Sequence, residues 1–268
     1  MADLDKFFAG SIPKIYEAYL GPLLFQPYAD DMAERIAALA PKHILETAAG
    51  TGFVTLAVAS RLPSAAITST DLNQAMLDIA SGKPGAEKIT WQACDATRLP
   101  FADASFDVVV TQFGVMFFPD RLAGYREARR VLRPGGTFIF NVWDSIGKNP
   151  VTETVVEGVA EVFPEDPPSF LRRLPHGYFD VPAIVATLRE AGFSDIRHET
   201  VTLPCTAPSA EWAAVGLCQG TPMRNEIETR DAKRLAAATE AARRKLEARY
   251  GRGEISGPMQ AIVFSARL

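Results

Sequence analysis

Ile44-Leu45-Glu46-Thr47-Ala48-Ala49-Gly50-Thr51-Gly52 is the stretch on which the fold turns. Residues 43–47 are too few for a helix and predominantly apolar before Glu46, so they read as a short buried strand. Gly50 and Gly52 break it, and residues 53–61 carry helical periodicity until Pro63 stops the run. Working outward, the pattern repeats. A strand over 66–70 ends at Asp71, a helix over 74–81 ends at Gly82 and Pro84, and a strand over 89–93 ends at Asp95. A Val-rich strand spans 106–112, a helix with Leu122, Tyr125, Ala128 and Leu132 on one stripe spans 121–131, and Pro134-Gly135-Gly136 turns the chain into a strand over 137–143. Two helices, 12–24 and 27–39, precede the first strand. Strands separated by helices of this length require right-handed crossovers, which gives a parallel sheet covered on both faces.

After Asp144 the rhythm changes. A helix over 151–163 is followed by the Pro164, Pro167, Pro168 cluster, and Asp180 with Pro182 opens a helix closed by Gly192. Strands over 194–203 and 259–268 flank helices over 211–218 and 231–250. The expected organisation is an N-terminal helical lid (1–40), a core (41–144), a cap insertion (145–178), a core helix and strand (179–205), a helical cap insertion (206–256) and a last core strand (257–268).

Composition bounds what such a chain does. Hydrophobic residues make up 47% and charged residues 22%, interleaved, as a large buried core requires. A formal net charge of -4 supplies no positive field for a nucleic-acid backbone, and the densest basic stretch, Arg243-Arg244-Lys245, is interrupted by Glu240 and Glu247 at helical spacing. No apolar run reaches the roughly 18 residues of a membrane span, and the first eleven residues carry Asp3, Asp5 and Lys6, so a cytoplasmic protein is expected. Cys94, Cys205 and Cys218 fit no disulfide or zinc spacing, and His43, His176 and His198 are not paired at ligand spacing, so no metal is expected.

The residues that carry chemistry fall at the carboxyl ends of the strands, where open parallel sheets bind ligands. Gly50 and Gly52 allow a tight turn with Thr51 between them and close approach to backbone amides. Asp71 is positioned to accept from both hydroxyls of a ribose, Asp95 from an exocyclic amine, with the Ala96 amide at a ring nitrogen. Gln112 and Phe113 border the far end of the same ligand, which is therefore a nucleoside. A dinucleotide fingerprint needs a third glycine, but Phe53, Val54 and Thr55 follow Gly52. Glu46 adds a carboxylate that repels a pyrophosphate and suits an ammonium group.

With these stretches, Thr70-Asp71-Leu72-Asn73, Cys94-Asp95-Ala96, Leu99-Pro100-Phe101, Ser105-Phe106-Asp107, Gln112-Phe113-Gly114 and Val131-Leu132-Arg133-Pro134-Gly135-Gly136, the chain resembles the class I S-adenosylmethionine-dependent methyltransferases of the small-molecule type, including the ubiquinone and menaquinone biosynthesis enzymes. The resemblance covers about residues 40–144. It implies a three-layer α/β Rossmann-like methyltransferase fold, a mostly parallel seven-stranded sheet with an antiparallel last strand and a helical cap. It also implies S-adenosyl-L-methionine as methyl donor and S-adenosyl-L-homocysteine as product. Glu46, Gly50 and Gly52 are implied at the methionine end, Asp71 and Leu72 at the ribose, Met76 beside the adenine, and Asp95 and Ala96 on its edge. Ala48 stands where many relatives carry glycine, a departure that bears on the turn's geometry.

The resemblance also implies an N-terminal helix over the cofactor, which makes Tyr16 a cofactor or substrate contact and Tyr19 a substrate candidate, with surface packing as the competing reading. Trp143, His176, Tyr178, Trp212 and Arg224 are further candidates for the acceptor pocket. His176 reads more simply as a loop histidine bonded locally, and no catalytic residue is assigned. The expected acceptor is a small, partly hydrophobic O, N or C nucleophile, bound by a monomer or homodimer. An NAD-dependent oxidoreductase and a non-catalytic S-adenosylmethionine-binding regulator are the rival readings; the first leaves Glu46 and Asp95 without a purpose.

Overall fold

The computed structural model describes Phe8 and residues 10–268. The chain begins with α1 (Ile12–Ile15), which continues as a π-helix (Tyr16–Phe25) and then as α2 (Gln26–Ala38). The break expected between two helices is absent. Pro22 lies inside the π-helix, and the Gln26 amide reaches back five residues to the Gly21 carbonyl, so the wider turn absorbs a residue with no N–H to give. The alternating core follows: β1 (His43–Glu46), α3 (Phe53–Arg61), β2 (Ala66–Asp71), α4 (Gln74–Ser81), β3 (Thr90–Ala93), β4 (Phe106–Gln112), α5 (Arg121–Val131) and β5 (Leu132–Trp143). Beyond it lie α6 (Pro150–Val162), α7 (Phe170–Arg173), α8 (Val181–Glu190), β6 (Asp195–Ala207), α9 (Ala210–Gln219), α10 (Met223–Asp231), α11 (Leu235–Tyr250) and β7 (Ile255–Arg267).

One seven-stranded sheet runs in the order β3-β2-β1-β4-β5-β7-β6, parallel through β3, β2, β1, β4 and β5, with β7 antiparallel to β5. This is the mixed sheet with an antiparallel last strand that the sequence implies. The order reverses beside β1, between β2 and β4, so the turn after β1 opens at the switch point.

Two compact units divide the chain. The first comprises Tyr28–Trp143, Tyr178–Val201 and Ala261–Leu268. Its strands alternate between two buried faces. On one, Met32, Ala33 and Ile36 of α2 and Val54 and Val58 of α3 pack on Ile44, Ile67, Val108, Val110, Ile139 and Val263. On the other, Tyr125 of α5 packs on Phe138 and Phe140, which stack with Phe193 and with Phe264 of the neighbouring strand. At the amino ends of the strands Asp107 accepts from the Lys42 and His43 amides at 2.9 and 2.8 Å and from Arg133 at 2.7 Å. Burial works to raise the Asp107 carboxyl, but the His43 amide, Arg133 and the Lys42 amide bring it down to about 2, a structural clamp on the edge away from the glycine turn.

The second unit holds the chain up to Pro27, Asp144–Gly177 and Thr202–Gln260. It is a helical assembly in which Gly158 of α6 lies against α11; a Cβ there would stand 2.6 Å from the Ala242 Cα, so the two helices touch backbone to backbone. Cys205 and Cys218 are buried in this unit, and burial pushes both thiols up to about 12, which leaves them inert packing groups.

Candidate active site

The carboxyl edge of β1 and β2 is a knot of hydrogen bonds. Thr47 donates its amide to Val110 at 2.9 Å, Ala49 to the Thr70 carbonyl at 2.9 Å, and Gly50 to Asp71 Oδ2 at 2.8 Å. Asp71 Oδ1 accepts from the Asn73 amide at 2.8 Å, so one carboxylate ties the turn after β1 to the turn after β2. The Leu72 amide bonds the same carboxylate, which leaves one acceptor site for a ligand. Burial raises the Asp71 carboxyl above its ordinary value, against the pull of these amides. Gly52 adopts φ 83 as the N-cap of α3, and a Cβ on it would lie 2.9 Å from Trp91 and 3.1 Å from Ala80. Glycine is therefore required there twice, by conformation and by packing.

Glu46 is buried at the end of β1, where it accepts from the Thr55 hydroxyl, which itself lies 2.8 Å from Ser69 Oγ. Burial pushes its carboxyl up to about 8, opposed by the Thr55 hydrogen bond and aided by the nearby Asp71. In the sequence Glu46 reads as a standing negative charge; in this enclosure it holds its proton at neutral pH until a cationic partner offsets the desolvation. Thr51 is 1% exposed and its Oγ1 has no hydrogen-bond partner. An orphaned hydroxyl in a glycine turn, a buried carboxyl and a remaining acceptor site on Asp71 fit a ligand with an amino-acid end and a ribose hydroxyl.

Further along this edge, Cys94 donates its amide to the Asp71 carbonyl at 3.0 Å, bringing the end of β3 alongside. Asp95 Oδ1 accepts from the Thr97 amide and hydroxyl at 2.8 and 2.7 Å, and partly buried Ala96 follows it. Leu72 is 46% exposed, an unusual position for leucine that leaves an apolar surface beside Asp71, while Met76 lies on the buried face of α4.

The carboxyl edge of β4 and β5 is built differently. Gln112 closes β4, and Phe113 adopts φ 49, the left-handed region. Its amide donates to Asn141 Oδ1 at 2.8 Å. Its ring stacks on Trp143 at 3.8 Å with the planes 2° apart, and Tyr28 stands edge-on to both at 5.2 and 5.4 Å. Gly114 then meets the β1 turn: a Cβ on it would lie 2.6 Å from the Ala48 methyl. Ala48 is itself left-handed at φ 52. Where a glycine is expected after β1, the added methyl is thus accommodated by a glycine after β4.

The remaining candidates fall into two groups. Tyr178 belongs to the core unit, under the Arg121 guanidinium at 4.2 Å and 3.2 Å from the Tyr125 hydroxyl. Tyr16, Tyr19, His176, Trp212 and Arg224 belong to the helical unit. Tyr16 stacks on Phe25 at 4.6 Å; Tyr19 and Trp212 pack together at 4.5 Å, with Trp212 Nε1 donating to the Tyr19 carbonyl. Arg224 is bonded to Glu228 and to Ser11. His176 Nδ1 donates to the Asp144 carbonyl at 2.8 Å, and burial lowers the ring to about 4, so the imidazole is neutral and weakly basic near pH 7. Sequence reasoning passed over Asn141, Tyr28 and Arg121, and Gly114 enters it only as the end of a matching stretch. The signal for Asn141 was available: it is the lone amide in the apolar run Phe138-Ile139-Phe140-Asn141-Val142-Trp143.

Among the described residues no helix is long and apolar enough to cross a membrane. Residues 45–140 match the family model described as a methyltransferase domain. The chain is 30% identical over 210 residues to a ubiquinone/menaquinone biosynthesis C-methyltransferase from Dinoroseobacter shibae, covering 70% of this chain and 81% of that protein. It is 40% identical over 101 residues to a demethylmenaquinone methyltransferase from Deinococcus radiodurans, covering 37% of this chain and 42% of that one. Among solved structures, phosphoethanolamine N-methyltransferase 2 from Haemonchus contortus superimposes with a TM-score of 0.61 at 18% identity, covering 98% of this chain and 59% of that chain, which establishes a shared fold.

Proposed function

The chain belongs to the class I S-adenosylmethionine-dependent methyltransferases, in the family that includes the ubiquinone/menaquinone biosynthesis C-methyltransferases, and from that premise we propose how its residues divide the work. It is an enzyme that transfers a methyl group from S-adenosylmethionine to a small molecule. Bound in its site, S-adenosylmethionine supplies a sulfonium-linked methyl group already activated for transfer. The protein's task is to align the acceptor with that group and to keep water away.

On our reading Glu46, Thr51 and the amides of Gly50 and Gly52 bind the amino-acid end of the donor, with Ala48 shaping the turn. Asp71 and Leu72 hold the ribose, and Met76, Asp95 and Ala96 hold the adenine. Gln112 and Phe113 bound the methyl-bearing end. The buried Glu46 carboxyl with the partnerless Thr51 hydroxyl carries this assignment.

The acceptor we propose is planar and partly apolar. The observation that carries it is the parallel stack of Phe113 on Trp143, with Tyr28 edge-on, at the ends of β4 and β5. Stacked and edge-on rings favour another flat ring over a chain or a compact polar group. The printed names of the two relatives, a C-methyltransferase acting in quinone biosynthesis and a demethylmenaquinone methyltransferase, support the same class. The formal net charge of -4 supports a small-molecule partner without nucleic acid. The test is transfer of labelled methyl from S-adenosylmethionine to matched panels of quinols and phenols, aliphatic amines and aliphatic carboxylates. Labelled product from the ring compounds alone is expected; product from the aliphatic panels alone overturns the planar-acceptor reading.

A further inference from the structure

Arg121 is a cation in an uncommon position. It is the first residue of α5, where the helix dipole disfavours positive charge, and among the described residues it makes no ion pair. One Nη donates to the Met116 carbonyl at 3.1 Å, the guanidinium lies 4.2 Å from the Tyr178 ring centre, and Nε is buried with no hydrogen-bond partner. The neighbouring acid does not pair with it: Asp120 turns one carboxylate oxygen to cap the helix through the Ala123 amide at 2.9 Å. Tyr178 is held in turn by the buried Tyr125 hydroxyl at 3.2 Å, so the face on which the guanidinium rests is fixed.

Partly buried charges are normally paired, and a guanidinium held flat by an aromatic ring with a donor unspent is prepared for an oxygen anion. Its place in the chain says where that anion comes from. Residues 114–120 lead directly from the carboxyl end of β4 to Arg121; Gly114 touches the Ala48 turn, and the Met116 carbonyl holds the guanidinium. Arg121 therefore stands on the same edge as Phe113 and Trp143, within the same unit. We propose that Arg121 binds a carboxylate carried by the methyl acceptor, so that the planar ring lies along the Phe113–Trp143 edge while its acidic substituent reaches the base of α5. This rests on the acceptor reading above and adds to it a charge requirement. An Arg–carboxylate bond also fixes orientation, which selects the ring position presented for methylation.

Calorimetry on the enzyme saturated with S-adenosylhomocysteine tests this with two probes that share the phenol ring, 4-hydroxybenzoate and its methyl ester, the ester lacking the charge and adding one methyl group. The wild type is expected to bind the carboxylate at least roughly tenfold more tightly than the ester, the scale of one charge-assisted hydrogen bond. Arg121→Gln is expected to erase that preference while leaving ester affinity and S-adenosylhomocysteine affinity unchanged, which also reports an intact fold. Arg121→Lys, which keeps the charge but loses the planar fork, is expected to fall between. Equal affinity for the two probes in the wild type, an equal loss for both in Arg121→Gln, or no binding of either overturns the proposal. Failure of wild-type enzyme to bind S-adenosylhomocysteine overturns the donor site instead, and this proposal with it.

Discussion

The two halves of the functional edge are made from opposite materials. After β1 and β2 the chain uses carboxylates and backbone amides: Asp71 bonds Gly50 and Asn73, and Glu46 bonds Thr55. After β4 and β5 it uses rings, with Phe113 flat on Trp143, Tyr28 edge-on and a single amide, Asn141, holding the left-handed Phe113. Polar groups whose partners are fixed on a rigid scaffold select one ligand by unpaired-group penalties, whereas stacked rings accept a class of ligands by shape. On the proposed assignment, the difference teaches how one site would keep its donor constant and leave its acceptor adjustable.

Breaking the polar half has the largest expected effect. Asp71→Ala leaves the Gly50 and Asn73 amides without their acceptor as well as removing the proposed ribose contact, and S-adenosylhomocysteine affinity by calorimetry should fall by about 3 kcal/mol, at the upper end of the cost of unpaired polar groups. The seam between the halves comes next. Gly114→Ala places a methyl 2.6 Å from that of Ala48, so thermal or denaturant unfolding should show a loss of about 1–3 kcal/mol from overpacking. Adding Ala48→Gly to it removes one of two close contacts, the Thr111 methyl at 2.7 Å remaining, and should recover part of the loss, a non-additive pair. Ala48→Gly alone should change stability least, within about 1 kcal/mol, because relief at φ 52 and the entropy of glycine oppose one another.

The polar half was legible because its chemistry is displayed in the residue types themselves, glycines and acids at strand ends, in chain order. What sequence could not supply was the state of those groups. Glu46 reads as an anion until Thr55, Ser69 and the surrounding core are in place, and only then does burial hold its proton. The aromatic half was only partly legible, since Phe113 and Trp143 were named singly while Tyr28 comes from a helix expected to act as a lid and Asn141 from the middle of a strand. Likewise Tyr19 and Trp212, both read as acceptor contacts, use one another across nearly two hundred residues. α10 escaped notice because Met223 and Ile227 are its only buried residues, too few to set a period.

Glu46 joins these threads, because the proposed donor site requires that carboxyl to meet the donor's ammonium. Its pKa of about 8 lies above the ordinary 4.5. In the empty protein its contribution to stability is therefore fully present below about 4.5 and is lost as pH rises toward 8, while binding of a cationic group draws the proton off. The measurement that tests this most directly is calorimetric titration with S-adenosylhomocysteine between pH 6 and 8.5, on the wild type and Glu46→Gln. The expected result is a wild-type affinity that rises by about tenfold per pH unit and levels off above pH about 8, one proton being displaced, while the variant is weaker and flat. Superimposable profiles for the two proteins would contradict the account.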